Sequence, residues 1–367
     1  MRFFKKVNFL AVLVVLLLVA AACSSDDDSD TTTTTGATGG AEGSIWVLLP
    51  DSASSDRWEN DDRRFFEQSF TAAGVDFNIV NAEGDATTQI TQAEQALASG
   101  AKVIVVVSLD SGSSSTIIDL AHESGALAVD YDRLTTEGNG ADAYVSFEGK
   151  NVGLAQGAAL VAACPDGSNV AVLNGGDEDN NSHLFKSGYD EIIDPKFADG
   201  SWTEVDDQFV PGWDNQEALV LFEQMLLANN NDIDCVIAAN DGIAGAVSSA
   251  LQGAGLDPIP VTGQDATGPG LARVVTGDQL MSVYKPIQNE AESAAQAAII
   301  LLEGGDITTL TGGNTINNGQ ADVPFVGLDV QTVTVDNIVS TVIADGFRTV
   351  AEICEGIADE CAAAGIS

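Results

Sequence analysis

From residue 44 onward the hydrophobic positions repeat one theme. A short apolar, β-branched run ends in polar or glycine-rich residues, and an amphipathic stretch follows. The runs are Ile45–Leu49, Phe77–Val80, Val103–Val107, Ala126–Val129, Val170–Leu173, Glu204–Val210, Val236–Ala239, Val261–Thr262 and Met281–Tyr284. Between them lie Arg64–Ala73, Thr88–Ala98, Ser114–Glu123, Val152–Ala163, Asn215–Ala228 and Ala244–Ala254, each with helical spacing of its apolar residues. Strands alternating with helices of this length predict βαβ units and parallel sheets, an α/β fold. Gly74, Gly100, Gly125 and Gly255 fall where helices should end. One set of units spans about 44–147 and a second about 148–286. A long helix is expected at about 287–304, and the tail at 305–367 carries GGD, TGG and NNG turn signals. No GxGxxG or Walker loop follows the first strand, so no cofactor is expected.

The N-terminus reads differently. Arg2, Lys5 and Lys6 precede an apolar run from Val7 to Val19, the length of a signal-peptide core rather than of a membrane span. Ala20, Ala21 and Ala22 then lead into Cys23, similar to a bacterial lipobox, with Ala20 in place of the usual Leu. The expectation is a signal peptide at 1–22 and a lipidated Cys23. Residues 24–43 hold no large apolar side chain and read as a flexible tether.

Composition narrows the function. Of 367 residues, 14 are Lys or Arg and 55 Asp or Glu, a formal charge of −41. Removing the three cations of the signal gives 11 − 55 = −44. Such a surface repels phosphate backbones, so nucleic acid is not an expected partner. His122 and His183 are the two histidines, too few for a His-rich metal site, and ANNNDID (228–234) lacks the acidic spacing of a calcium loop. No metal is expected. Cys164, Cys235, Cys354 and Cys361 form an even set in an exported chain, consistent with two disulfides. Cys354 and Cys361 are close neighbours in the tail. Cys164 and Cys235 each precede a strand, and free buried thiols are the alternative.

In open parallel sheets ligands bind beyond the carboxyl ends of the strands. Those ends carry Arg57-Trp58, Tyr131-Asp132-Arg133, Asp179-Asn180-Asn181, Trp213, Asn240-Asp241, Asp265 and Lys285. Carboxylates, amides, a guanidinium fork and indole faces suit an uncharged polyol. Each residue also has a plainer reading. Asp241 would serve as a helix N-cap, Asn180 and Asn181 as turn residues, Asp132–Arg133 as part of an ion pair between lobes, and Trp58 and Trp213 as packing. A glycosidase using paired carboxylates is a competing class. Against it, no acid stands in an evidently apolar setting.

Several stretches together carry a family resemblance: DRW (56–58), YDR (131–133), VSFEGKNVG (145–153), DEDNNSHLF (177–185), DQFVPGW (207–213), AANDGIAGA (238–246), TGQDA (262–266), VYKPI (283–287) and TINNG (315–319). The chain from about 45 to 350 resembles the type I periplasmic sugar-binding proteins of ABC transporters, most of all their D-xylose-binding branch. The resemblance implies two Rossmann-like lobes joined by a three-segment hinge, with a sugar between them. The lobes would comprise 44–147 plus about 287–325, and 148–286 plus about 326–367. Ligand contacts would fall on Arg57, Trp58, Asp132, Arg133, Asp179, Asn180, Asn181, Trp213, Asn240, Asp241, Asp265 and Lys285. The implied protein is a monomeric, exported binding protein and not an enzyme, lipid-anchored on the outer face of the cytoplasmic membrane or periplasmic. Its partners would be a monosaccharide and an ABC permease, or a membrane sensor. Leu109-Asp110-Ser111 and the serine-rich loop 50–56 depart from the xylose pattern, which leaves glucose, galactose and arabinose in play.

Overall fold

The computed structural model describes residues 43–55 and 57–367. The expected signal peptide, Cys23 and most of the tether lie outside the described residues. Among the described residues, no helix is long and apolar enough to cross a membrane.

The first half of the chain builds one sheet. Strands β1 (Ser44–Leu49), β2 (Asp76–Asn81), β3 (Ala101–Val106), β4 (Leu127–Tyr131) and β5 (Ala143–Phe147) alternate with helices α1 (Arg63–Ala73), α2 (Ala86–Ala98) and α3 (Ser111–Glu123). β1, β3, β4 and β5 are mostly inaccessible on both faces, which explains the near-continuous Val, Ile and Leu of β1 and β3. β5 had no counterpart among the expected strands. Gly74 closes α1 in the left-handed conformation, as its position suggested.

The second half repeats the plan. It runs α4 (Gly149–Ala163), β6 (Asn169–Asn174), α5 (Asn180–Ala198), β7 (Thr203–Phe209), α6 (Asn215–Ala228), β8 (Cys235–Ala238), α7 (Asp241–Ala254), α8 (Gly268–Thr276) and β9 (Ser282–Tyr284). Its parallel sheet has the order β7-β6-β8, continued by single bridges from Val236 to Val261 and from Gln264 to Val283. Helix α5 lies unusually close to α4. A Cβ on Gly153 would stand 1.9 Å from the Phe185 carbonyl oxygen, so only glycine fits there.

The chain then returns. Helix α9 (Ile287–Leu302) covers the first sheet, and after the short α10 (Thr308–Thr311) come β10 (Thr315–Asn317) and β11 (Asp322–Leu328). These strands complete a seven-stranded sheet of order β10-β11-β5-β4-β3-β1-β2, parallel except for the β10–β11 hairpin. β11 continues to Leu328, three residues past the boundary read from the sequence. β12 (Gln331–Val333) then pairs with β9 on the other side. The main chain therefore passes between the halves after β5, before α9 and after β11. Beyond β12, α11 (Val350–Ile353) and α12 (Ala358–Ala363) lie against α8, and the tail shares one apolar cluster with α8 and the first core. Disulfides join Cys164 to Cys235 and Cys354 to Cys361.

Candidate functional site

The carboxyl ends of both sheets face one crevice. From the first half, loop 50–55 follows β1. Asp51 accepts the Ala53 amide at 2.7 Å and the Ser54 hydroxyl at 2.8 Å, which folds the loop back on itself. Trp58–Asp62 then forms a π-helical turn before α1. This wide turn aims Arg57 and Trp58 inward, and both are buried. The indole N–H of Trp58 donates to Ser54 Oγ at 3.2 Å.

Arg57 is the electrostatic centre. Its Nε and Nη2 grip Asp62 at 2.9 and 2.7 Å, its Nη1 reaches Asp132 at 2.8 Å, and Nη2 also reaches Glu290 at 2.7 Å. Lys285 Nζ lies 3.2 Å from Asp132 and 3.4 Å from Asp265. Across the crevice Arg133 Nε meets Asp179 at 3.0 Å. Five buried carboxyls (Asp62, Asp132, Asp179, Asp265 and Glu290) thus face three cations (Arg57, Arg133 and Lys285). Burial alone would raise the Asp132 pKa, but Lys285, Arg57 and Arg133 overcome it and hold this group well below the usual carboxylate range. Burial and the neighbouring Asp132 push Glu290 far upward, and its buried Oε1 has no partner among the described residues.

Three lining residues have left-handed backbones that non-glycine residues seldom adopt: Asp132 (φ 62°), Trp213 (φ 56°) and Asp265 (φ 92°). Asp132 is fixed through its carbonyl. That oxygen accepts Tyr144 Oη at 3.0 Å, Ser146 Oγ at 2.7 Å and, from the opposite half, Asn181 Nδ2 at 2.9 Å. Behind it, Asp130 clamps the loop by accepting the Thr135 amide at 2.9 Å and contacting the Thr135 hydroxyl at 2.8 Å.

The second half supplies the facing wall. Asp179 caps α5 through the Asn181 amide and also accepts Trp213 Nε1 at 3.1 Å. The Trp213 ring lies directly on Gly175, where a Cβ would come within 2.1 Å of it. Asn240 caps α7 by accepting the Ile243 amide at 2.8 Å, and its Nδ2 approaches the Ser54 carbonyl at 3.4 Å. Ser55 Oγ donates to Asp265 at 3.2 Å.

Arg57, Trp58, Asp132, Arg133, Asp179, Asn181, Trp213, Asn240, Asp265 and Lys285 line a single cavity with Ser54, Ser55, Phe185 and Gln264. Two of the expected contacts do not. Asn180 starts α5 without lining the cavity. Asp241 turns away from it and is taken up by Thr267, Gln279 and Ser282. Nor is Asp241 the α7 cap, because the preceding Asn240 takes that role. The sequence also showed no acid in an apolar setting, whereas burial raises Asp130 to about 7 and Asp241 to about 6. Ser54, Ser55, Phe185 and Gln264 were not singled out. Phe185 and Gln264 sit inside the quoted motifs, and the two serines lie in the serine-rich loop 50–56, noted above as a departure from the xylose pattern and not as ligand contacts. Among the described residues, no cluster of three His, Cys, Asp or Glu side chains suits a metal ion.

Residues 46–306 match the family model described as periplasmic binding protein domain. The chain belongs to the periplasmic binding protein family. It is 36% identical over 304 residues to the D-xylose-binding periplasmic protein of Escherichia coli (strain K12), covering 83% of this chain and 90% of that relative. The D-xylose-binding periplasmic protein of Haemophilus influenzae is also 36% identical, over 303 residues, covering 82% and 90%. Among solved structures, a carbohydrate transporter solute binding protein from Chloroflexus aurantiacus in complex with D-glucose superposes with a TM-score of 0.77 at 27% identity, covering 84% of this chain and 97% of that one. The fold is the type I periplasmic binding protein fold, and each of these relatives is a binding protein rather than an enzyme.

Proposed function

We propose that the protein captures a monosaccharide, D-xylose in first place, between its two lobes and delivers it to an ABC importer. The observation that carries this reading is the convergence of ten sequence-predicted polar and indole side chains on one crevice. Carboxylates and amides pair with vicinal hydroxyls, the Arg forks span two oxygens, and an indole covers the C–H face of a sugar ring. The names of the two bacterial relatives favour D-xylose. D-glucose is the second reading, favoured by the ligand of the Chloroflexus relative.

The enclosed space is about 30 Å³, room for roughly two waters. A sugar therefore enters while the lobes are apart, and the lobes close around it. The lobes correspond to 44–147 plus about 287–328, and to 148–286 plus about 329–367. Cleavage before Cys23 and lipidation there would tether the monomeric body outside the cytoplasmic membrane.

Thermal unfolding against D-xylose, D-glucose, D-galactose, L-arabinose and D-ribose tests the reading. At a hundredfold excess over Kd the cognate sugar adds about 2.7 kcal/mol of stability. Trp213→Ala and Asp265→Ala remove that gain while the fold persists. An unmoved midpoint with all five sugars defeats the proposal.

A further inference from the structure

A second, larger space adjoins the crevice. It measures about 230 Å³ against 30 Å³ for the crevice itself, and the two share Ser54, Ser55, Asn240 and Asp265 as their common wall. The wall is thin. It consists of the Ser55 hydroxyl on Asp265 at 3.2 Å and the long Asn240 contact to the Ser54 carbonyl at 3.4 Å. Beyond it the chamber is polar. Among the described residues Asn215 Oδ1 has no hydrogen-bond partner there, and Arg273 lines the same space. Gly242 and Gly245 keep the floor low: a Cβ on the first would come within 2.4 Å of Asn215 Oδ1, and on the second within 3.1 Å of Arg273 Nη1.

We propose that Ser55 and Asp265 form a gate between crevice and chamber, and that this gate decides whether the protein discriminates a pentose from the hexose of the same stereochemistry. Resting on the sugar-binding reading, the inference assigns the chamber a chemical class: the exocyclic hydroxymethyl group of an aldohexose. When the lobes close on a sugar with the gate hydrogen-bonded, the Ser55–Asp265 wall bars a group added to the pentose ring from the chamber. One extra carbon group at a tight wall is worth roughly 10- to 200-fold in selectivity. Removing the Ser55 hydroxyl releases Asp265 Oδ2, its Oδ1 still facing Lys285, and opens a path to Asn215 and Arg273, which can hydrogen-bond the incoming hydroxyl.

Titration calorimetry on two matched pairs, D-xylose with D-glucose and L-arabinose with D-galactose, tests the gate. The wild-type protein should favour the pentose of its cognate pair at least tenfold. Ser55→Ala should narrow that ratio about tenfold, chiefly through tighter hexose binding. Adding Asn215→Phe, which fills the chamber, should cancel the hexose gain and leave pentose affinity within twofold. A wild type that takes hexose as tightly as pentose overturns the gate, as does a ratio that Ser55→Ala leaves unmoved or a hexose gain that survives the filled chamber. A wild type that binds none of the four sugars overturns the sugar reading itself, and the gate with it.

Discussion

Asp130 offers a prediction that can be worked through from burial alone. Its carboxyl is fully inaccessible, touches Thr135 twice and has no cation beside it among the described residues. Burial lifts its pKa from 3.8 to about 7, although both Thr135 contacts pull the other way. An acid whose pKa is raised by folding costs the native state nothing below its unfolded pKa. It costs progressively more as pH climbs toward the folded value. At about 1.4 kcal/mol per tenfold change in proton affinity, the full cost above pH 7 is ~4 kcal/mol, against ~2 kcal/mol at pH 5. Asn is isosteric and satisfies the same neighbours, its carbonyl accepting the Thr135 amide and its NH₂ donating to the hydroxyl. Asp130→Asn should therefore be stabilising, by about 2 kcal/mol more at pH 8 than at pH 5. Urea denaturation of both proteins at the two pH values measures the difference. A stability gap that does not change with pH, or that shrinks toward pH 8, refutes the reasoning. Because Asp130 holds the Asp132 loop from behind without lining the cavity, sugar affinity should be unchanged.

Three further outcomes are expected. Gly175→Ala places a methyl group inside the Trp213 ring, so stability should fall by about 1–3 kcal/mol, and sugar affinity should drop at least tenfold by calorimetry. Arg348 holds Asp61, on the turn that bears Trp58, through contacts of 2.9 and 2.6 Å. Since Arg64 still pairs with Asp61 at 3.0 Å, Arg348→Ala should cost only about 1–3 kcal/mol in chemical denaturation. The two disulfides close loops of very different size, with sequence separations of 71 and 7. In the loop-entropy account the Cys164–Cys235 bridge contributes about 4 kcal/mol and the Cys354–Cys361 bridge about 2, so melting of the Cys→Ala pairs should rank them in that order.

Much of this architecture is written in short-range pattern. β1, β3 and β6 read as β-branched runs because parallel strands inaccessible on both faces need nothing else. β5 was missed because its Ala-Tyr-Val-Ser-Phe alternates with polar atoms whose partner, the Asp132 carbonyl, becomes visible only in three dimensions. α5 was missed for a related reason. It opens on Asn-Asn-Ser and contains Pro195, signals of a turn, while its hold on α4 depends on glycines distant in sequence. The strand-end rule placed most of the crevice but could not say which side of a helix N-terminus a residue takes, so Asn240 both lines the cavity and caps α7, and Asp241 does neither. Ser54 and Ser55 show in the sequence only as part of a serine-rich loop, because small loop hydroxyls are common everywhere and none stands out as a contact. Glu290 and Asp62 were illegible because nothing in their local spacing announces the Arg57 guanidinium between them.

The carbonyl of Asp132 has an asymmetric set of suitors. An sp² oxygen offers two lone pairs, and the residents Tyr144 and Ser146 of the neighbouring strand already claim both. Asn181 arrives from across the crevice as a third. Separation of the halves therefore leaves the carbonyl satisfied, while water can take over from Asn181 at Asp132 Oδ1, which the same amide reaches at 3.1 Å. The left-handed corner keeps its shape whether or not its visitor is present, so half of the docking template survives every cycle of release.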